Sequence, residues 1–175
     1  VLILITGGAA SGKSAVAEDL AVSLGERRLY LATLRPFDEE CLCRIARHRR
    51  MRVGKGFDTL EICNGLPESA LNVADCDAAL LDSLTNLLSG LWENAADPEG
   101  DAWAALEALR LRMKHLVVVS DQISSDAEDC GPETCAFAAL LGRLNRRVAA
   151  RADAVAEVVC GLPIWHKGAS LCCKG

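Results

Sequence analysis

At 175 residues, with 51% apolar and 25% charged residues, the chain is sized for one domain with a full core. Its net charge of −5 weighs against nucleic acid as a partner. No apolar run reaches membrane-spanning length and the N-terminal apolar stretch ends too soon for a signal peptide, so a cytoplasmic protein without stable membrane insertion is expected. Nine cysteines, an odd number without paired CxxC spacing, read as free thiols, most of them small core residues. The same spacing disfavours a metal site built from Cys41, Cys43 and His48.

Taken in chain order, the apolar run Val1 to Thr6 predicts a buried parallel strand, and Gly7 to Gly12 a loop. Lys13 to Leu24 has helical spacing, with Val16, Leu20 and Leu24 on one side and Gly25 as a C-cap. Arg28 to Ala32 predicts a strand, Phe37 to Met51 a basic helix, and Thr59 to Cys63 a short edge strand. Ala78 to Asp82 is apolar and ends in an acid. Leu84 to Glu93 and Asp101 to Lys114 predict helices separated by a polar turn with Pro98 and Gly100. Leu116 to Ser120 is the clearest buried strand, followed by a polar loop to Gly131. Glu133 to Ala152 predicts a long helix and Ala154 to Cys160 a last strand before a tail with Gly161, Pro163 and Gly168. Strands alternating with helices imply a mostly parallel sheet covered on both faces. The expected fold is α/β: one domain, residues 1–175, a P-loop NTPase-like three-layer sandwich.

The sharpest local signal is Gly7-Gly8-Ala9-Ala10-Ser11-Gly12-Lys13-Ser14, the GxxxxGK[ST] pattern after an apolar strand and before a helix. Its glycines let successive N–H groups turn toward phosphate oxygens, and the helix dipole points at the same charge. Lys13 is placed to reach the β- and γ-phosphates of a nucleoside triphosphate and the Ser14 hydroxyl to bind magnesium. Asp82, closing an apolar strand, is the candidate second magnesium-orienting acid; the same position also suits a helix N-cap.

Arg44, Arg47, His48, Arg49, Arg50 and Arg52 crowd one helix, with Arg44, His48 and Arg52 at four-residue spacing. A dense cationic patch on an acidic protein suits a phosphate-bearing ligand; pattern alone also allows a solvated charged face.

With the P-loop, Leu29-Tyr30-Leu31-Ala32-Thr33, Asp38-Glu39-Glu40 and Arg44-Ile45-Ala46-Arg47-His48-Arg49, the chain resembles the bifunctional adenosylcobinamide kinase / adenosylcobinamide-phosphate guanylyltransferase family of cobalamin assembly. The likeness continues through Lys55-Gly56-Phe57-Asp58-Thr59-Leu60-Glu61, Leu80 to Leu87, Gly142 to Arg146 and Gly161 to Ile164. The resemblance implies that His48 accepts GMP from GTP and passes it to adenosylcobinamide phosphate, giving adenosylcobinamide-GDP. A neutral imidazole is a competent nucleophile for such a step. It also implies that adenosylcobinamide is first phosphorylated, with GTP or ATP as donor and Mg2+ as cofactor. By the same likeness, Thr33, Leu34, Arg35, the turn Arg49, Arg50, Met51 and Arg52, and Glu61 and Asp82 surround the nucleotide. Glu61 reads equally as a surface strand residue. The partners implied are a corrinoid substrate and copies of the chain itself, in a symmetric homo-oligomer, a trimer.

The chain departs from the family pattern at Ala10, where many members carry arginine. Asp82 stands in place of the more usual glutamate. Asp121-Gln122-Ile123-Ser124 stands where Asn-Glu-Val-Gly is common, and Cys135 and Ala139 replace an arginine and an aspartate. These changes bear on the cobinamide pocket or its loop, and so on kinase competence more than on nucleotide binding, which rests on untouched positions. They keep two other readings open: a P-loop small-molecule kinase without guanylyl transfer, and a degenerate GTP-binding regulatory protein without turnover.

Overall fold

The unbroken apolar run at the N-terminus becomes β1 (Leu2–Gly7), deep within a seven-stranded sheet in the computed structural model of the chain. The structure describes residues 1–63, 76–123 and 131–169. The other strands are β2 (Arg28–Ala32), β3 (Phe57–Glu61), β4 (Ala78–Asp82), β5 (His115–Asp121), β6 (Ala154–Val159) and β7 (Leu162–Lys167), in the order β3-β2-β4-β5-β1-β6-β7. Every neighbouring pair is parallel except β6 with β7. Among the described residues five helices accompany them: α1 (Lys13–Leu24), α2 (Glu39–Arg52), α3 (Leu84–Trp92), α4 (Pro98–Arg112) and α5 (Pro132–Arg151).

Side chains that alternate along a strand build two cores, one per face. Leu4, Leu31, Leu81, Leu116 and Val118 pack with Leu84, Leu88, Leu106, Leu141 and Leu144 of α3, α4 and α5. Ile3, Ile5, Tyr30, Leu80, Val117 and Val119 face the other way, with Ala17, Leu20 and Ala21 of α1. Burying each of the Leu, Ile and Val side chains stabilises the fold by about 1.5–3 kcal/mol. α2 belongs to neither core; its sole buried residue is Arg52.

Three differences from the sequence expectation have a clear physical reason. α4 starts at Pro98 rather than Asp101, because the Asp97 side chain caps it, accepting from Gly100 N at 3.0 Å, and proline suits the first turn. β3 lies two residues earlier than its pattern suggests, in register with β2 through Arg28↔Phe57. The expected tail is strand β7. Cys160 and Gly161 both have positive φ (51° and 81°), which makes the tight two-residue turn of a hairpin, with Val159 paired to Leu162. Pro163 is tolerated because β7 is an edge strand.

The cysteines also depart from expectation. Cys41, Cys43, Cys63, Cys76 and Cys160 are free thiols, but all are half-buried or exposed rather than in the core, and Cys135 is disulfide-bonded. Cys172, Cys173 and most of the polar loop expected between Asp121 and Gly131 lie outside the described residues.

Candidate active site

The P-loop leaves the C-terminal end of β1 and folds back over it. Ser11 N donates to Gly8 O at 3.3 Å, and Gly161 N donates to Ser11 O at 2.8 Å, which ties the loop to the β6–β7 turn. Two glycines are required by space. A Cβ on Gly7 would lie 2.8 Å from Val158 O, and one on Gly12 would lie 3.1 Å from Gly161 Cα at a φ of 92°. Ala10 also sits in the left-handed region, at φ 56°.

Lys13 is largely buried and its Nζ meets Asp121 Oδ1 at 2.7 Å and Gly8 O at 3.1 Å. Asp121 closes β5, the strand beside β1, and its backbone is pinned from both sides: its N–H donates to Thr85 Oγ1 at 2.9 Å, and Asn145 Nδ2 donates to its carbonyl at 3.2 Å. The sequence pattern predicts a loop from Asp121 onward, whereas Asp121 is the last residue of β5. The signal was available, since it is an acid at the end of the clearest apolar strand.

Asp82 ends β4, which is separated from β1 by β5. Its carboxylate does not cap the following helix. Ser83 takes that position, its hydroxyl accepting from Asn86 N at 3.3 Å. The Asp82 side chain is 8% exposed. Burial by itself would raise its carboxyl, but the His48 imidazole, the Tyr30 hydroxyl and the Ser14 hydroxyl hold it below the usual carboxylate range. Tyr30 Oη donates to Asp82 Oδ2 at 2.8 Å, and burial next to that carboxylate pushes the phenol pKa well up. Tyr30 was not singled out as a site residue; its place in a buried strand pointed only to packing.

His48 extends from α2 so that Nδ1 lies 3.3 Å from Asp82 Oδ2, at ion-pair distance but not aligned as a hydrogen bond. A cavity of about 670 Å³ opens between α2, the P-loop and the ends of β2, β3 and β4. The residues from Ala9 to Ser14 line it, with Leu34, His48, Arg49, Met51, Arg52, Glu61 and Asp82. Arg44 and Arg47 line it too. Its volume suits a nucleotide.

The remaining candidates are placed otherwise. Thr33 is buried and its hydroxyl is used up on Ser83, accepting from the N–H at 2.6 Å and donating to the carbonyl at 2.8 Å. Arg35 donates through Nε to Cys63 O at 3.1 Å and lies 3.5 Å from Glu93, away from the cavity wall. Arg50 is exposed and outside the lining. Arg49 and Glu61 pair at 3.0 Å, both largely exposed. Arg52 is buried with its guanidinium 3.4 Å from the Tyr30 ring centroid, a cation–π stack.

Ser14 and Asp82 fit a magnesium ion. They present a hydroxyl and an ionised carboxylate in contact with each other, which are hard oxygen donors. No group of three or more metal-ligating His, Cys, Asp or Glu side chains occurs among the described residues. Magnesium needs no such cage, because it keeps water and substrate oxygens. Among the described residues no helix is long and apolar enough to cross a membrane.

Comparison with known proteins brings four findings. The sequence model of the cobinamide kinase / cobinamide phosphate guanyltransferase family matches residues 3–165. The bifunctional adenosylcobalamin biosynthesis protein CobP of Pseudomonas aeruginosa is 34% identical over 173 residues, covering 96% of this chain and 98% of its own. CobU of Salmonella typhimurium, with the same description, is 30% identical over 187 residues, covering 95% and 100%. Among solved structures, a KaiC-like protein of Pyrococcus horikoshii has a TM-score of 0.51 at 12% identity, covering 89% of this chain and 71% of that one, a likeness of fold alone.

Proposed function

This chain belongs to the cobinamide kinase / cobinamide phosphate guanyltransferase family, and from that premise we propose how its residues divide the two transfers. The protein is a transferase that acts on a corrinoid and binds GTP. In our reading the corrinoid is adenosylcobinamide and then its phosphate. The P-loop from Gly7 to Ser14 cradles the triphosphate, with Lys13 on the β- and γ-phosphates. Magnesium bound at Ser14 and Asp82 would neutralise charge on the transferring phosphates.

The observation that carries the transferase half is the 3.3 Å approach of His48 Nδ1 to the buried Asp82 carboxylate, inside the cavity that the P-loop lines. With its proton on Nδ1, facing Asp82, the imidazole presents Nε2 as the free nucleophile. Nε2 bonds to the α-phosphorus of GTP as the α–β bridging P–O bond breaks and pyrophosphate leaves. Asp82 stabilises the imidazolium that forms, and Arg44, Arg47 and Arg49 on the cavity wall offset charge on the phosphate. A phosphate oxygen of adenosylcobinamide phosphate then displaces the histidine, restoring it and giving adenosylcobinamide-GDP. The Glu61 carboxylate and Leu34 take the nucleoside end, where both line the cavity. Thr33 and Arg35 act at one remove, Thr33 by tying the end of β2 to that of β4 and Arg35 by tying the segment after β2 to Cys63 beyond β3. ATP as an alternative donor, a trimeric assembly and a cytoplasmic setting belong to the same reading, on family resemblance.

The test is labelling with α-phosphate-labelled GTP and magnesium. The native chain should take up label that survives denaturation, is lost in acid and persists in base; His48→Ala should take up none. No label on either protein, with GTP still bound, refutes the guanylyl-histidine.

A further inference from the structure

α2 carries His48, yet among the described residues it packs into neither apolar core, and polar contacts near its C-terminal end hold it in place. The exposed Arg49–Glu61 pair contributes little. The Arg52 stack on Tyr30 is buried and stronger. The third contact lies just past the helix. Lys55 N donates to Arg52 O at 3.0 Å, which fixes Lys55 to the last turn. Its Nζ then reaches α1, 3.0 Å from Glu18 Oε2 and 2.8 Å from Asp19 Oδ1.

Glu18 is the unusual partner. It sits on the P-loop helix one turn beyond Ser14, and its side chain is 0% exposed. Its Oε1 has no hydrogen-bond partner, and burial pushes its carboxyl pKa up against the pull of Lys55. A buried carboxylate destabilises a fold unless it is paired, and a hydrophobic residue would pack at that place with less penalty. Glu18 does not line the cavity, so phosphate chemistry does not account for it. What the ion pair does supply is register, because Lys55 can meet a buried carboxylate in one position only. Arg28 reinforces the same junction, donating to Lys55 O at 2.6 Å and to Val22 O of α1 at 3.1 Å.

We propose that Glu18 and Lys55 form a clasp between the P-loop helix and α2 that positions His48 for guanylyl transfer. They are positioning residues, acting through α2 and touching no substrate. The inference rests on His48 as nucleophile. It separates the two activities, because the phosphoryl transfer assigned to Lys13, Ser14 and Asp82 uses no residue of α2.

The experiment compares the full-length native chain with Lys55→Met, Lys55→Arg and Glu18→Gln. Three readouts are taken: the rate of label uptake from α-labelled GTP, phosphorylation of adenosylcobinamide, and amide hydrogen exchange across residues 39–52. Lys55→Met and Glu18→Gln should slow label uptake by about 10- to 100-fold, the scale of a small misplacement of a reacting group. They should also speed exchange in α2 while phosphorylation continues, and Lys55→Arg should restore both. Label uptake and exchange that stay at native values in Lys55→Met overturn the clasp. Loss of phosphorylation in parallel with labelling also overturns it, since the pair would then be merely structural. If the native chain takes no label but α2 exchange still responds to Lys55→Met, the clasp stands and the His48 reading falls.

Discussion

Tyr30→Phe isolates one hydroxyl at the heart of the site. The tyrosine is 3% exposed and its Oη lies 2.8 Å from Asp82 Oδ2. The ring itself packs edge-on to Phe57, with centroids 6.2 Å apart, and carries the Arg52 guanidinium; a phenylalanine keeps both contacts. What is lost is a hydrogen bond to a buried charged group, worth about 1.5–3 kcal/mol. Urea unfolding at pH 7 in nucleotide-free, metal-free buffer should show a loss of that size. With a slope of about 1–3 kcal/mol per molar, the midpoint falls by roughly 1 M. The pH dependence fixes the cause. The Asp82 carboxyl is held below its ordinary value of 3.8, so its stabilisation is present above that value and is lost as pH falls through the folded one. Removing the hydroxyl removes one source of the depression, so the variant should lose its remaining stability at a higher pH than the native chain. A change under about 0.5 kcal/mol, as for a surface substitution, with an unmoved acid limb, would refute the account of Asp82.

Two further variants probe the P-loop. Asp121→Asn frees Lys13 from its 2.7 Å partner, so GTP should bind about two- to fivefold more tightly by calorimetry, the worth of a partly exposed ion pair; weaker binding would mean that Asp121 holds the lysine in place for the phosphates. Gly12→Ala puts a Cβ 3.1 Å from Gly161 Cα at a φ of 92°, so GTP affinity should fall by about tenfold or more, with strain of order 1–3 kcal/mol. Unchanged affinity would show that the loop relaxes at no cost.

Much of this was legible in the sequence where one local rule decides the outcome. The P-loop declares itself because its glycines and its lysine have no other common use in that setting. β4 and β5 declare themselves because strands buried on both faces are unbroken apolar runs. α2 was legible as a helix but not in its position, since a pattern of arginines fixes periodicity and says nothing about what the helix lies over. Its anchors, Glu18 and Lys55, are 37 residues apart and carry ordinary surface residue types. Only the fold reveals that one of them is fully buried. β7 escaped for a different reason. It lies at an edge with most of its side chains exposed, so it lacks the alternation that marks a half-buried strand, and its turn uses Cys160 where Asn or Gly is usual.

The proposed chemistry constrains the order of events. Attack at the γ-phosphorus and attack at the α-phosphorus begin from opposite ends of the same triphosphate. A nucleotide spent on His48 has already released its γ-phosphate within pyrophosphate, so one bound GTP supports one transfer or the other. The product of the first transfer is the acceptor in the second, which requires the P-loop to empty and refill between them. Asp82 stands at the junction, since its carboxylate faces both Ser14 of the P-loop and His48 of α2. The γ-transfer asks only that Ser14 and Asp82 stay together. The α-transfer asks in addition that α2 stay down, which falls to its polar anchors because neither apolar core among the described residues includes it. Weakening those anchors should therefore fall on the second transfer and spare the first.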